Sequence, residues 1–489
     1  MGMVTDYHRL SVSDVVRSLR DRRFSAVALT ETALHLAETD GQCLNAVLAV
    51  CREKALAQAE RIDGLISQGR DIPPLAGVPV IIKDNIVYSG YPTTCASRIL
   101  DGFVSPYDAT AVERLEQAGA VIIAKANMDE FAMGSSSEHS AFGPVVNPIR
   151  DNLVPGGSSG GSCAVVAAGI VPISLGSDTG GSVRQPAGFC GVVGLKPTYG
   201  AVSRYGLVAF ASSTDQIGPI ARTVADCAAV FETISGYDER DATSARVSYA
   251  GLAHLIESSR CKPCRFGVPQ EFMPDDLDEE IHMVVRAATL KLESAGHEVV
   301  KVSLPHTDLA VAAYYIIADA EASSNLARFD GVRYGATAGR EKGLASMYAE
   351  TRRRGFGREV MRRIMLGTFA LSAGYCEAYY YKAQQVRELI RSDFERAFKA
   401  ADILVSPTSP TAAFRRGERI DDPLAMYMSD VLTVPASLAG IPAISIPCGR
   451  TRDGRPIGLQ MMAPAFGETD LLVAAREVER LLGAGDAEH

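Results

Sequence analysis

Short runs of β-branched and aliphatic residues alternate with helical patterns along most of this 489-residue chain. That alternation leaves few choices other than a sheet covered by helices. Residues 78–82 and 120–124 read as strands with a helix over 110–118 between them. The pattern resumes with a strand at 265–268, a helix near 279–295 and a strand-like run at 297–304. Tyr375, Tyr379, Ala383, Val386, Ile390, Phe394 and Phe398 recur at helical spacing and predict one long helix leading into a strand at 403–405. Strands at 443–446 and 457–461 follow, then a terminal helix through Leu472, Ala475, Val478 and Leu482. Residues 11–70 read as helical throughout, opened by a capping box of Ser11 with Asp14 and by a second start at Ser25. The expected organisation is one mixed α/β domain over 1–489: a helical layer at 11–70, a catalytic core at 71–225, and the remaining sheet with a binding pocket and C-terminal helix at 265–489.

Composition narrows the function. With 47% hydrophobic and 22% charged residues the chain can bury a large core. A formal net charge of −9 argues against direct binding of nucleic acid, because the surface offers no attraction to phosphates. The ten cysteines are scattered, as expected of a reduced cytoplasmic protein. Cys261-Lys262-Pro263-Cys264 has no second pair and no histidine at a zinc-like spacing, so no metal is assigned to it. No leader pattern and no apolar stretch of about 18 residues occurs, which predicts a soluble, unanchored chain.

Between 126 and 222 the periodicity weakens while glycine, serine and proline rise, the mark of a long functional loop region. Two loops there carry chemistry: Gly156-Gly157-Ser158-Ser159-Gly160-Gly161-Ser162 and Asp178-Thr179-Gly180-Gly181-Ser182. Glycine beside serine leaves the hydroxyl open to a substrate and lets successive amides turn inward on an oxyanion. Ser182 is the expected nucleophile, with Thr179, Gly180 and Gly181 as oxyanion donors. Lys83 ends the apolar run 78–82, where burial would discharge the ammonium and make it a base. Ser158 reads otherwise as a turn and helix cap. Gly156-Gly157-Ser158-Ser159-Gly160 matches the G-x-S-x-G nucleophile elbow in letters, but residues 150–155 make a poor strand to precede one. Neither loop holds the lysine of a phosphate-binding P-loop, and no H-E-x-x-H occurs.

The block from Gly156 to Ser182, followed by Arg184-Gln185-Pro186-Ala187 and Gly194-Leu195-Lys196-Pro197-Thr198, resembles the defining segment of the amidase signature family. The resemblance implies a mixed central sheet covered by helices on both faces. It also implies a triad in which Ser182 is nucleophile, Ser158, after a cis peptide, is the bridge, and Lys83 is the base. Asn127-Met128-Asp129-Glu130, Ser203-Arg204-Tyr205-Gly206 and Glu321-Ala322-Ser323-Ser324 extend the likeness to the tRNA-dependent amidotransferase branch of that family. In that branch a tyrosine, an arginine and an aspartate bind free L-glutamine. Here they fall on Tyr314, Arg363 and Asp430, with adjacent Tyr315 and Arg362 as the alternatives. A guanidinium fork and a carboxylate complement the two charges of a free amino acid. The branch further implies no cofactor in this chain, a heterotrimer completed by the amidotransferase B and C subunits, ATP and Mg2+ on the partner, and mischarged tRNA reached through that partner. A stand-alone amidase acting on another amide is the alternative.

Overall fold

In the computed structural model, which describes residues 4, 6–274 and 277–483, eleven strands form one sheet. They are β1 (Val47–Val50), β2 (Pro79–Lys83), β3 (Val121–Ala126), β4 (Ile173–Asp178), β5 (Val193–Lys196), β6 (Gln216–Ala221), β7 (Arg265–Pro269), β8 (Glu298–Val302), β9 (Ile403–Pro407), β10 (Ala443–Arg450) and β11 (Pro456–Met462). Their order is β1-β3-β2-β4-β6-β5-β10-β11-β9-β7-β8. The sheet is mixed, parallel within β3-β2-β4 and β9-β7-β8 and antiparallel through the middle. Flanking helices bury β2, β3, β4, β6 and β9 along their whole lengths, which is why these strands carry few charges. No helix among the described residues is long and apolar enough to cross a membrane.

Both N-terminal starts hold. Ser11 caps the helix Val12–Arg20 in a capping box with Asp14, and Ser25 caps Ala26–Glu38. The reading of 11–70 as helical throughout is corrected by β1, a short strand pairing antiparallel with β3 before the helix Arg52–Ser67. The loop reading of 126–222 is corrected more heavily. That region is corrected by β4, β5 and β6, while its helices Gly160–Ala167 and Arg184–Cys190 fall where the small-residue run 162–168 and Val183-Arg184-Gln185 favour them. Its glycines hide the strands: a Cβ on Gly218 would stand 2.1 Å from the Leu195 carbonyl oxygen, and one on Gly194 2.7 Å from Ala187 Cβ. They permit β5, β6 and the helix Arg184–Cys190 to approach closely. The long C-terminal helix begins only at Lys382, after a π-helical turn at Glu377–Tyr381. Tyr375 and Tyr379 are 44% and 42% exposed, whereas Ala383, Ile390 and Phe394 are buried. A π turn shifts the helical phase, so one stripe of apolar letters does not make one buried face.

Position follows from topology. β2 and β4 are parallel neighbours, with Ile82 opposite Leu175, so Lys83 and the loop after Asp178 emerge at the same end of the sheet.

Candidate active site

Lys83 is fully buried at the end of β2. Its Nζ lies 2.7 Å from Ser158 Oγ, 2.8 Å from Ser159 Oγ and 3.3 Å from the Ser177 carbonyl. Burial draws its pKa down to about 7, against the opposing pull of Asp129, Asp178 and Asp215. A lysine at that value is half neutral near physiological pH. Ser158 follows a cis peptide bond from Gly157, in the sense the family resemblance implies. The Gly157 amide donates to Gln185 Oε1 at 3.0 Å, and the Ser158 carbonyl accepts from the Asp129 amide at 3.2 Å, so the turn is held from two sides. No strand precedes Gly156 and the helix begins at Gly160, which disposes of the nucleophile-elbow match.

Ser182 sits in the loop after β4, joined to the first loop by a 3.1 Å hydrogen bond from the Ser159 amide to its carbonyl. Its hydroxyl has no protein partner among the described residues, and it is 8% exposed where Ser158 is completely buried. The amides of Thr179, Gly180, Gly181 and Ser182 likewise donate to no acceptor among the described residues. Four consecutive free donors beside a hydroxyl form a concavity for an anion. The loop is fixed at its margins. Arg184 donates from Nε (3.0 Å) and Nη2 (2.9 Å) to the Asp178 carboxylate, with both side chains fully buried. Arg184 also reaches the Thr433 carbonyl, Gln460 and Ser437. Burial pushes the Asp178 carboxyl up, but Arg184 more than reverses this and leaves it below the usual range. Thr179 Oγ1 donates to Asp215 at 2.7 Å, and Thr433 Oγ1 donates to the Gly180 carbonyl at 2.8 Å.

Tyr314 and Asp430 approach this loop from distant segments, and the charge of Arg363 lies near both. A Cβ on Gly180 would fall 2.6 Å from Tyr314 Cζ, so only glycine lets that ring close on the loop; one on Gly181 would meet Thr433 Oγ1 at 2.1 Å and lie in ordinary contact, 3.4 Å, with Asp430 Oδ1. Arg363 is buried on the helix Arg358–Ala370, while its neighbour Arg362 turns outward with a side chain 28% exposed. Tyr314 is the more buried of the tyrosine pair. Arg363 donates from Nε to Glu359 at 2.8 Å and is flanked by the rings of Phe210, Tyr315 and Tyr427. Its two terminal nitrogens have no protein acceptor among the described residues. Asp430 accepts from Ser135 through Oδ2, while Oδ1 is buried and unpaired among the described residues. Burial lifts the Asp430 carboxyl to about 7, partly offset by Ser135.

Several residues around these groups take roles that the sequence does not assign to them. Ser159 shares Lys83 with Ser158, and Asp129 braces the loops by accepting from the amides of Ser137 (2.8 Å) and His139 (3.1 Å). Glu359 and Tyr427 hold Arg363, Tyr427 donating to Glu359 at 2.9 Å. Asp178 and Arg184 have a local signal, since both flank the Gly180-Gly181-Ser182 run. Away from the site, no metal ligand is expected near Cys261 and Cys264 from their local spacing. The fold brings His297 to the pair, a separation that local spacing rules do not search.

A family model described as "Amidase" matches residues 28–472. The A subunit of Glutamyl-tRNA(Gln) amidotransferase of Koribacter versatilis (strain Ellin345) is 53% identical over 479 residues, covering 98% of this chain and 100% of that protein. The subunit of the same name from Synechococcus sp. (strain RCC307) is 54% identical over 464 residues, covering 95% of each. The crystal structure of the A subunit of Glutamyl-tRNA(Gln) amidotransferase from Thermotoga maritima superposes with a TM-score of 0.78 at 42% identity, covering 98% of this chain and 96% of that one.

Proposed function

This chain belongs to the amidase family, and on that premise we propose that it is the glutamine-hydrolysing subunit of a tRNA-dependent amidotransferase. The contact that carries the reading is Lys83 Nζ at 2.7 Å from Ser158 Oγ, beside a Ser182 loop whose amides are free among the described residues. Neutral Lys83 takes the Ser158 proton as Ser158 takes that of Ser182. Ser182 Oγ bonds to the side-chain amide carbon of glutamine, and the oxyanion rests on the amides of 179–182. The carbon–nitrogen bond breaks, the proton returns to nitrogen, and ammonia leaves. Water then adds to the glutamyl ester by the same relay, releasing glutamate and the Ser182 hydroxyl. Arg363 would hold the α-carboxylate with its free nitrogens and Asp430 the ammonium with Oδ1, while the Tyr314 hydroxyl closes the pocket over Gly180.

Ammonia is useful only if another site consumes it. In this reading a partner, the B subunit, uses ATP and Mg2+ to activate mischarged Glu-tRNA(Gln), and Asp-tRNA(Asn) where it serves both, with a small C subunit completing a cytoplasmic heterotrimer. The net charge of −9 supports leaving tRNA to the partner. The test is purification from the native cell. Two further chains should accompany this one, and glutamate release from glutamine should rise when mischarged tRNA is added. An active single chain that ignores tRNA and prefers another amide would replace this reading with that of a stand-alone amidase.

A further inference from the structure

Cys261 and Cys264 lie just before β7, and His297 just before β8, its parallel partner at the sheet edge. The Glu298 amide donates to the Cys264 carbonyl at 3.1 Å, so pairing of the two strands brings these segments together. Cys261 Sγ stands 4.0 Å from Cys264 Sγ, and Cys264 Sγ 3.7 Å from His297 Nδ1. All three atoms fall within 4.8 Å of one another. A tetrahedral zinc ion with bonds of about 2.3 Å to sulfur and about 2.05 Å to nitrogen requires an S···S separation of about 3.8 Å and an S···N separation of about 3.6 Å. The Cys264 contacts to Cys261 and His297 meet these within a few tenths of an ångström.

Three further observations fit a cation. The Cys264 amide donates to Nδ1 at 3.3 Å, so Nδ1 carries a lone pair and not a proton, and on binding that one lone pair would pass from the amide to the ion. The imidazole is buried edge-on to Phe266, ring centroids 5.2 Å apart, and cannot swing out to solvent. The acids around the pair are Asp402, Asp470 and Glu477, which add negative charge beside it. We propose that Cys261, Cys264 and His297 bind one zinc ion, with a water in the fourth position. Two thiolates and a neutral imidazole balance its charge, and binding expels the two thiol protons. Five strands separate β7 from β4, a distance of roughly 29 Å at about 4.8 Å per strand, so the ion takes no part in amide hydrolysis. Its work is mechanical: it ties the Cys-x-x-Cys turn to the start of β8, the edge strand.

The test is metal analysis of the full chain with its co-purifying partners, isolated under reducing conditions without chelators. About one zinc per chain is expected, falling to background in Cys261→Ser while glutamate release is unchanged. Cobalt added to chelator-stripped protein should give thiolate-to-metal charge transfer and the intense visible bands of a tetrahedral ion, both absent from Cys264→Ser and His297→Ala. Because His297 is buried, the Cys261→Ser result stands by itself if His297→Ala is insoluble. Wild-type protein without stoichiometric zinc and without the cobalt bands overturns the proposal. So does zinc that persists in Cys261→Ser, or in-cell thiol trapping that finds Cys261 and Cys264 joined as a disulfide.

Discussion

Lys83 Nζ has three oxygen neighbours within 3.3 Å, whereas across the Ser182 loop the terminal nitrogens of Arg363 and Oδ1 of Asp430 have none among the described residues. On the side that would make and break bonds the base and the bridging serine are already in contact, with the Ser182 hydroxyl, free among the described residues, beside them; the side that would recognise the substrate is held rigid but left open. Burying a polar atom without a partner costs about 1–3 kcal/mol, a cost the fold accepts where a ligand can supply the missing partner. The contrast predicts separable defects. Ser182→Ala or Lys83→Ala should lower kcat for glutamine by at least about 10⁴-fold with little change in KM or in glutamine affinity by calorimetry. If either variant keeps a tenth of its turnover, the assembled side is not the catalytic one.

The open side should show the opposite split. Arg363→Met leaves Glu359 without its buried partner and removes the fork for a carboxylate, for a loss of about 2–5 kcal/mol, or roughly 30- to several-thousand-fold in kcat/KM carried mainly by KM. Lys at 363 should rescue little, since one ammonium cannot supply two parallel donors. A fall confined to kcat would place Arg363 outside the recognition half.

Protonation links the halves. Lys83 must be neutral and Asp430 ionised in the free enzyme, and burial brings both to about 7. Both groups therefore reach their working forms by losing a proton as pH rises through about 7. Below it, log kcat/KM should fall with a slope approaching about 2 per pH unit. Asp430→Asn should reduce that slope to about 1 while lowering the plateau. A wild-type slope of 1 that Asp430→Asn leaves alone would mean that only one of the two titrates as burial predicts.

What was legible in the sequence divides along similar lines. Lys83 and Ser182 could be singled out because their surroundings show in local letters: an apolar strand ending in lysine, and glycines abutting a serine. β2, β3, β7, β8, β9, β10 and β11 were legible from their aliphatic runs. β4, β5 and β6 were not, because tight packing demanded Gly176, Gly194 and Gly218 where strand propensity would place a side chain. Arg363 and Tyr314 came through resemblance, but the cage around the arginine joins Phe210, Tyr315, Glu359 and Tyr427, three of them from segments far apart in the chain. His297 beside the cysteine pair follows the same rule: strand pairing, not spacing, creates the neighbourhood.

The smallest expected effect separates the two serines that share Lys83. Ser159 Oγ lies 3.1 Å from the Ser177 carbonyl, to which it donates, and receives the Ser177 amide at 3.3 Å, so its hydrogen is already engaged. Ser158 Oγ has Lys83 as its one protein partner among the described residues, leaving it free to exchange a proton with Ser182. If Ser158 is the relay, Ser158→Ala should approach the severity of Lys83→Ala. Ser159→Ala should cost only the one hydrogen bond that steadies the ammonium nitrogen, about 1 kcal/mol or roughly fivefold in kcat. The test is a pair of kcat measurements on the two alanine variants, alongside their pH profiles. Equal losses would make the two hydroxyls one functional unit, and a greater loss at 159 would move the relay to the serine whose proton now rests on a carbonyl.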